Sequence, residues 1–198
     1  MSHQRVVNQT PEVFRSETRD SKHLLEDLVQ MPVIGYRAAT YSITSQSLWA
    51  LDVLYEEGFR YDSSIFPIRH DRYGIPDAIV HPHCLRTPAG YSLAEFPLSV
   101  VQLARINLPI SGGGYFRLLP YAVTRWGLQQ VIAAGRPIVF YLHPWEIDPD
   151  QPRIAGVRLR SRARHYLNLG RTFGRLTRLI RDFRFGTMHG CLAADGLL

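Results

Sequence analysis

The chain has 198 residues, of which 45% are hydrophobic and 20% charged, and its formal net charge is +6. These values are typical of a globular domain with a buried core, and they exclude a disordered tail or a fibrous chain. No apolar run approaches the roughly 20 residues that span a bilayer, and no basic segment followed by an apolar one opens the chain. Two cysteines are too few for a disulfide framework or a thiolate zinc site. We therefore predict one domain over residues 1–198, without a signal peptide or a membrane span, in the cytoplasm.

The N-terminal third begins with a predicted helix. Thr10 is a good N-cap, and Pro11 suits the first helical position, so the helix is expected to run to about Val29. A short strand over 33–36 follows. A second helix is then expected over about 44–57, where glycine follows as a helix terminator.

The rest of the chain continues to alternate between extended and helical segments. We predict a short strand over 60–65, a long loop over 67–92, an extended segment over 93–101, a helix over 120–135 and a buried strand over 139–142. Strands that alternate with helices form parallel sheets covered by helices, so the expected fold class is α/β.

A last helix is predicted from the spacing of its apolar residues. The residues expected on its buried stripe recur at intervals of four and three, and they are Leu169, Phe173, Leu176, Ile180 and Phe183. Residues 153–184 also hold ten arginines and a single acid, Asp182. This excess is typical of a solvated helix face, or of a patch for anionic glycan, lipid headgroups or nucleic acid. No DNA-recognition or RNA-stacking signature accompanies it, so we expect no nucleic acid partner.

Two short motifs carry candidate chemistry. The stretch VFYLHPWE at 139–146 places His143 where the buried strand ends, which in α/β folds is a position where catalytic groups collect. The alternative is a histidine that merely caps a packed sheet. The stretch GYRAATYSI at 35–43 places Arg37 directly after a strand, with Tyr41 four residues later.

Four stretches, taken in order, resemble the polysaccharide deacetylases, the carbohydrate esterases that include chitooligosaccharide deacetylases. They are most similar to the exosortase-associated subgroup, and they read GYRAATYSI (35–43), GFRYDSSIFP (58–67), SGGGYFRLLPY (111–121) and YLHPWEIDPDQP (141–152). The resemblance implies a distorted (β/α) barrel and the metal-dependent hydrolysis of N-acetyl groups. The substrate would be an N-acetylated polysaccharide or oligosaccharide, in carbohydrate metabolism or exopolysaccharide biosynthesis.

The resemblance also implies catalytic roles. His143 would protonate the departing amine, a task that suits imidazole because its unperturbed pKa is about 6.5. Asp62 would hold and tune that histidine, although an Asx-type turn after a strand is an equal alternative for this residue. Arg37 would orient the aspartate that serves as base. The substrate pocket would be lined by Tyr41, which also lends its backbone N–H to the oxyanion, and by Leu142 and Trp145 as the wall for the acetyl methyl group.

The resemblance further implies a divalent metal, zinc, held in the complete family domain by one aspartate and two histidines. His3 matches the second of those histidines, and no acidic pair after an apolar strand precedes Gly35. We therefore expect this chain to be the C-terminal two thirds of the family domain. It would form a partial barrel without the first strands, the base and part of the metal site, and it would bind zinc weakly.

Two consequences of that expectation remain open. The chain is expected to derive from an enzyme that deacetylates a polysaccharide, and the alternative is a non-catalytic remnant that binds a glycan or a protein partner. Absent first strands would leave the strand over 33–36 with an unpaired edge and would expose apolar core, so self-association is also expected.

Overall fold

A computed structural model describes residues 3–104, 106–154, 156 and 159–198. The chain divides into two compact units, Met1–Leu98 with Thr187–Leu198, and Ser99–Gly186. The first unit contains a mixed four-stranded sheet with helices, and the second contains a two-stranded antiparallel sheet with helices. The expected α/β class is therefore confirmed, while the strands of the described residues form no closed barrel.

The regular elements are as follows. The helices are α1 (Pro11–Val29), α2 (Trp49–Glu56), α3 (Gly113–Leu118), α4 (Tyr121–Ala133), α5 (Leu159–Tyr166), α6 (Leu169–Asp182) and α7 (Met188–Ala194). The strands are β1 (Gly35–Tyr36), β2 (Tyr61–Asp62), β3 (His83–Arg86), β4 (Ser92–Glu95), β5 (Val100–Leu103) and β6 (Ile106–Pro109).

The sheet of the first unit has the strand order β1-β2-β4-β3. Strands β1, β2 and β4 are parallel, and β3 runs antiparallel to β4. The register pairs Tyr36 with Asp62, and Asp62 with Glu95. The carboxyl ends of three parallel strands therefore meet at one edge of this sheet, and they bring together residues that are far apart in the sequence.

The core of the first unit forms around the aromatic residues of α1, α2 and β1. Helix α1 begins where it was predicted, because the Thr10 side chain accepts a hydrogen bond from the backbone N–H of Val13 at 3.4 Å. From this helix Phe14 packs edge-to-face against Tyr36 and Trp49, with ring centroids 5.8 and 5.6 Å apart. Burial of these rings fixes α1 against the start of the sheet and against α2.

The core of the second unit lies between its helices and β5. Phe116, Leu128 and Leu179 are fully buried there, together with Val101. Gly127 on α4 comes close to the side chain of Val101, where an added Cβ would lie 3.1 Å from it. A glycine at this position thus lets α4 approach β5 closely.

The prediction of a regular strand over 139–142 is wrong. Tyr141 forms a single parallel bridge to Gly112, and the remainder of the segment is irregular. Val139 donates its backbone N–H to the hydroxyl of Ser99 at 2.8 Å, so a side chain takes the place of a neighbouring strand. Only Val139 in this segment is fully buried, whereas the next three residues are half-buried.

Two other predicted elements are corrected. Helix α2 begins at Trp49 rather than near Thr44, because Ser47 closes a turn in which its hydroxyl accepts from the N–H of Thr44 at 2.9 Å. The predicted loop over 67–92 contains β3, which pairs with β4 through four register positions. Its composition gave no strand pattern, and its pairing partner supplies the stabilisation.

The buried stripe of α6 is rotated relative to the prediction. Leu169 and Phe183 are buried and Leu176 is partly buried, as expected, but Phe173 and Ile180 are 63% and 60% exposed. Thr172 and Leu179 take their places in the interior. Both patterns repeat at intervals of three and four residues, so spacing alone does not choose between two adjacent faces.

In the ranges that the structure describes, no helix has both the length and the apolar character needed to span a bilayer.

We predict that this chain self-associates through the region around β1. Among the described residues β1 pairs with β2 alone, and Leu28 and Met31, which precede it, are 72% and 68% exposed. Light scattering should report oligomers that the double substitution Leu28→Lys and Met31→Lys converts toward monomer, because lysine disfavours burial of this surface. Ile154→Lys, at a residue 64% exposed in the other unit, is the control that should leave the oligomers unchanged. A sharp monomer for the unsubstituted chain would contradict the prediction.

Candidate functional site

One polar cluster lies at the carboxyl ends of the parallel strands in the first unit. Arg37 follows β1, Asp62 ends β2 and Glu95 ends β4. Asp62 and Glu95 are fully buried and face each other in the strand register. Together with Ser63 and Ser64 these residues form the strand-end cluster.

Arg37 is fixed in orientation by the residues that follow β2. Its Nε donates to the backbone oxygen of Ser63 at 3.0 Å, and its Nη2 donates to the Ser63 hydroxyl at 2.8 Å. That hydroxyl in turn donates to the backbone oxygen of Phe96 at 2.6 Å. The guanidinium carbon lies 6.0 Å from the ring centroid of Tyr41, within range of a cation–π interaction. The structure therefore brings Arg37 and Tyr41 together, whereas the catalytic and binding roles predicted for them stay predictions.

Asp62 is held by a local turn. Its Oδ2 accepts from the N–H of Ser64 at 3.1 Å, and its Oδ1 accepts from the Ser64 hydroxyl at 2.6 Å. This is the Asx-type turn that the sequence left open. The Ser64 hydroxyl also accepts from the N–H of Ala38 at 2.7 Å, so the turn ties β2 to the segment after β1.

Burial dominates the electrostatics of the two acids. It raises the pKa of Asp62 to about 6, although the hydrogen bonds from Ser64 work in the opposite direction. Burial and then the negative charge of Asp62 raise the pKa of Glu95 well above its usual value. Loss of solvation penalises the charged form of a carboxyl group, and a neighbouring carboxylate adds to that penalty.

Tyr41 lies in a strained stretch of backbone. Thr40 and Tyr41 have φ angles of 56° and 51°, two successive non-glycine residues in the left-handed region. Tyr41 is 9% exposed, and its ring packs edge-to-face against Phe66 and Tyr73. The predicted role of its backbone N–H at an oxyanion stays a prediction.

A second polar cluster lies in the other unit. It is built around the segment that carries His143, and its members are Tyr141, His143, Trp145, Glu146 and Arg117. We refer to it as the histidine cluster.

The glycine-rich segment before α3 determines the backbone path of the segment that leads to His143. Tyr141 donates its N–H to the backbone oxygen of Ser111 at 2.9 Å, and its own oxygen accepts from the N–H of Gly113 at 2.9 Å. Gly112 lies between these bonds with a φ of +127°, and a Cβ there would come 1.8 Å from the Tyr141 oxygen. The two backbones can therefore meet only if residue 112 lacks a side chain.

His143 follows this close approach by two residues. The hydroxyl of Tyr141 contacts its ring nitrogens and lies 3.1 Å from Nδ1. The backbone N–H of His143 donates to Oε2 of Glu146 at 3.0 Å. The Tyr141 hydroxyl thus holds the ring and Glu146 holds the backbone, while His143 remains only half-buried.

Glu146 forms a buried ion pair with Arg117. Arg117 Nε lies 2.9 Å from Glu146 Oε1, and the two side chains are 4% and 1% exposed. Arg117 also donates to the backbone oxygen of His165 at 2.6 Å, and its guanidinium carbon lies 4.9 Å from the Trp145 ring. The Trp145 ring stacks on His165 at 4.2 Å. The ion pair therefore anchors the segment that carries His143 to α3.

Two further predicted site residues, Leu142 and His3, belong to neither cluster. Leu142 packs against the core of the second unit, and His3 is exposed. The described residues contain no group of three or more His, Cys, Asp or Glu that could hold a metal ion. The predicted roles of Leu142 and Trp145 at an acetyl group, and of His3 as a ligand, are untested by this geometry.

Sequence reasoning missed Glu95, Arg117 and Glu146. Each stands in an apolar context, as in LAEFP and YFRLL, and a charged residue flanked by apolar ones is the signal that would have found them. Their partners are remote in the sequence, so the pairing itself was not visible there.

We predict that Gly112→Ala lowers the free energy of unfolding by at least about 2 kcal/mol, because the new Cβ clashes with Tyr141 and the positive φ is strained. Thermal and denaturant unfolding measure this loss. Gly114→Ala is the matched control, since a Cβ there meets nothing within 4 Å and alanine favours α3. Equal effects at both positions would argue against the close approach.

We also predict that the chain binds zinc weakly and without a contribution from His3, since a catalytic zinc site normally needs three protein ligands. Titration calorimetry on the chain and on His3→Ala should give the same weak isotherm. Tight one-to-one binding that disappears in His3→Ala would contradict this prediction.

Comparison with known proteins gives one match. A family model described as Domain of unknown function (DUF3473) matches residues 63–193, about two thirds of the chain. No curated protein and no solved structure matches the chain. The matched range includes the whole histidine cluster and the part of the strand-end cluster after Asp62. The chain belongs to the DUF3473 family.

Proposed function

We propose that the chain belongs to an enzyme that hydrolyses N-acetyl groups on a polysaccharide or oligosaccharide and releases acetate. Two observations support the assignment to the polysaccharide deacetylases. The four stretches that resemble those enzymes occur in the family's order, and the DUF3473 domain is associated with polysaccharide deacetylase-like proteins. The distorted (β/α) barrel of that family is part of the same proposal.

The positioning of His143 is the observation that carries the proposal. Amide hydrolysis needs an acid that protonates the departing nitrogen, and a histidine can carry that proton near neutral pH. The Tyr141 hydroxyl and the carboxylate of Glu146 restrict the ring and the backbone of His143. A half-buried imidazole held in this way is suited to deliver a proton repeatedly from one position.

The strand-end cluster supports a second role. A guanidinium that must orient a catalytic carboxylate has to be rigid itself, and Arg37 meets this condition through its two hydrogen bonds to Ser63. Asp62 is the residue that the resemblance assigns to holding the catalytic histidine. Its turn with Ser64 fixes the carboxylate.

The zinc that the resemblance implies does not fit the described residues. They provide no cluster of three possible ligands, and His3 is the single residue that the resemblance assigns to the metal. When bound in such enzymes, zinc polarises the carbonyl and activates water.

We expect a protein that joins this chain to the base and metal ligands of the family domain to release acetate from an N-acetylated oligosaccharide in the presence of zinc. His143→Ala should lower the rate by roughly 10²–10⁴, the usual contribution of a positioned general acid. Arg37→Ala should also lower it. Acetate release, measured with an enzyme-coupled assay, reports both effects.

His23→Ala is the control, because His23 is an exposed histidine on α1. Full activity of His143→Ala would reject the mechanism. Binding of the oligosaccharide without any acetate release would favour the alternative, a glycan-binding remnant of the family.

A further inference from the structure

One carboxyl oxygen in the strand-end cluster has no hydrogen-bond donor among the described residues. Both oxygens of Asp62 accept from Ser64, and Oε1 of Glu95 accepts from the N–H of Ile65 at 3.1 Å. Oε2 of Glu95 is buried and accepts no hydrogen bond from any donor among the described residues. A buried carboxylate oxygen in this situation would lose its hydration without compensation.

One arrangement of the two buried acids would give this oxygen a hydrogen-bond partner. Asp62 and Glu95 are neighbours in the register of β2 and β4 and both are fully buried, so a hydrogen bond between their side chains would satisfy this oxygen. Two carboxyl groups can form such a bond only if one of them carries a proton. Asp62 already accepts two hydrogen bonds, which favour its charged form, whereas Glu95 accepts one. The proton therefore belongs on Oε2 of Glu95.

We propose that Glu95 is a neutral carboxylic acid at pH 7 and that it positions Asp62 by donating a hydrogen bond to the Asp62 carboxylate. Glu95 is thus a positioning residue, since its fully buried side chain acts through Asp62. The consequence for catalysis rests on the proposed function. The location of the proton does not.

The groups around the pair agree with a single negative charge. Arg37 is a cation whose charge acts on Glu95. Burial and the charge of Asp62 raise the pKa of Tyr36 to about 12, so its phenol is neutral. His83, the partner of Glu95 in the β3-β4 register, has its pKa lowered by burial and is also neutral at pH 7. One carboxylate balances one guanidinium, and a second carboxylate would have no counterion in this set.

The proposal has a defined effect on stability. In the unfolded chain both acids ionise near pH 4. In the folded chain their pKa values are raised, so between pH 4 and the folded values the native state binds more protons than the unfolded state. The contribution of this pair to the free energy of unfolding is therefore largest at low pH and declines as the pH rises through the folded pKa values. One retained proton changes the unfolding equilibrium constant by up to about tenfold per pH unit.

Infrared spectroscopy of the 198-residue chain at pH 7 tests the proton directly. The carbonyl stretch of a protonated carboxylic acid should be present in the unsubstituted chain and absent in Glu95→Gln. Glu26→Gln is the matched control, because Glu26 is paired with Lys22, which lowers its pKa, and is ionised at pH 7. Absence of the band from the unsubstituted chain, or its persistence in Glu95→Gln, would overturn the proposal.

Denaturant unfolding between pH 5 and 8 tests the positioning role. Glu95→Gln keeps a donor for Asp62 and should remain folded with a flatter pH profile, whereas Glu95→Leu removes the donor and should be destabilised strongly. Equal destabilisation by both substitutions, or an unchanged pH profile in Glu95→Gln, would refute the role.

Because neither experiment uses substrate, failure to detect acetate release bears only on the proposed function, and a missing infrared band bears only on this inference.

Discussion

Polar side chains that are withdrawn from water must find partners within the protein, and both clusters depend on this constraint. In the first unit three successive residues, Asp62, Ser63 and Ser64, are buried, and their hydrogen bonds join the segments that follow β1, β2 and β4. In the second unit Arg117 and Glu146 meet the same demand as an ion pair. Removal of one partner from such a pair is costly because the other remains buried and charged.

The sequence predicted those elements of the fold whose signals are local. Helix α1 has a threonine cap followed by proline, and both act within one turn of the chain. Predictions failed where a remote partner decides the structure. Strand β3 exists through its pairing with β4, and the segment over 139–142 is shaped by Ser99 and Gly112. In α6 the choice between two adjacent apolar faces depends on packing, which the spacing does not contain.

Prediction of the candidate site has the same limits. The short motif singled out both Arg37 and Tyr41, which are four residues apart, but it did not predict the cation–π contact between them. Glu95 is 33 positions from Asp62 in the sequence, and only the parallel register of β2 and β4 joins them. Arg117 and Glu146 are similarly remote. A charged residue in an apolar segment can be noticed in a sequence, but its counterpart emerges only from the folded chain.

The left-handed backbone at Thr40 and Tyr41 links the site to the stability of the unit. Non-glycine residues in this conformation cost of order 1–3 kcal/mol each, and such a loop persists only where its surroundings over-determine it. Here the aromatic packing of Tyr41 and the hydrogen bonds around Arg37 provide that restraint. Substitutions that loosen this aromatic packing would therefore let the loop relax toward ordinary backbone angles, and the positions of Arg37 and Tyr41 would change with it.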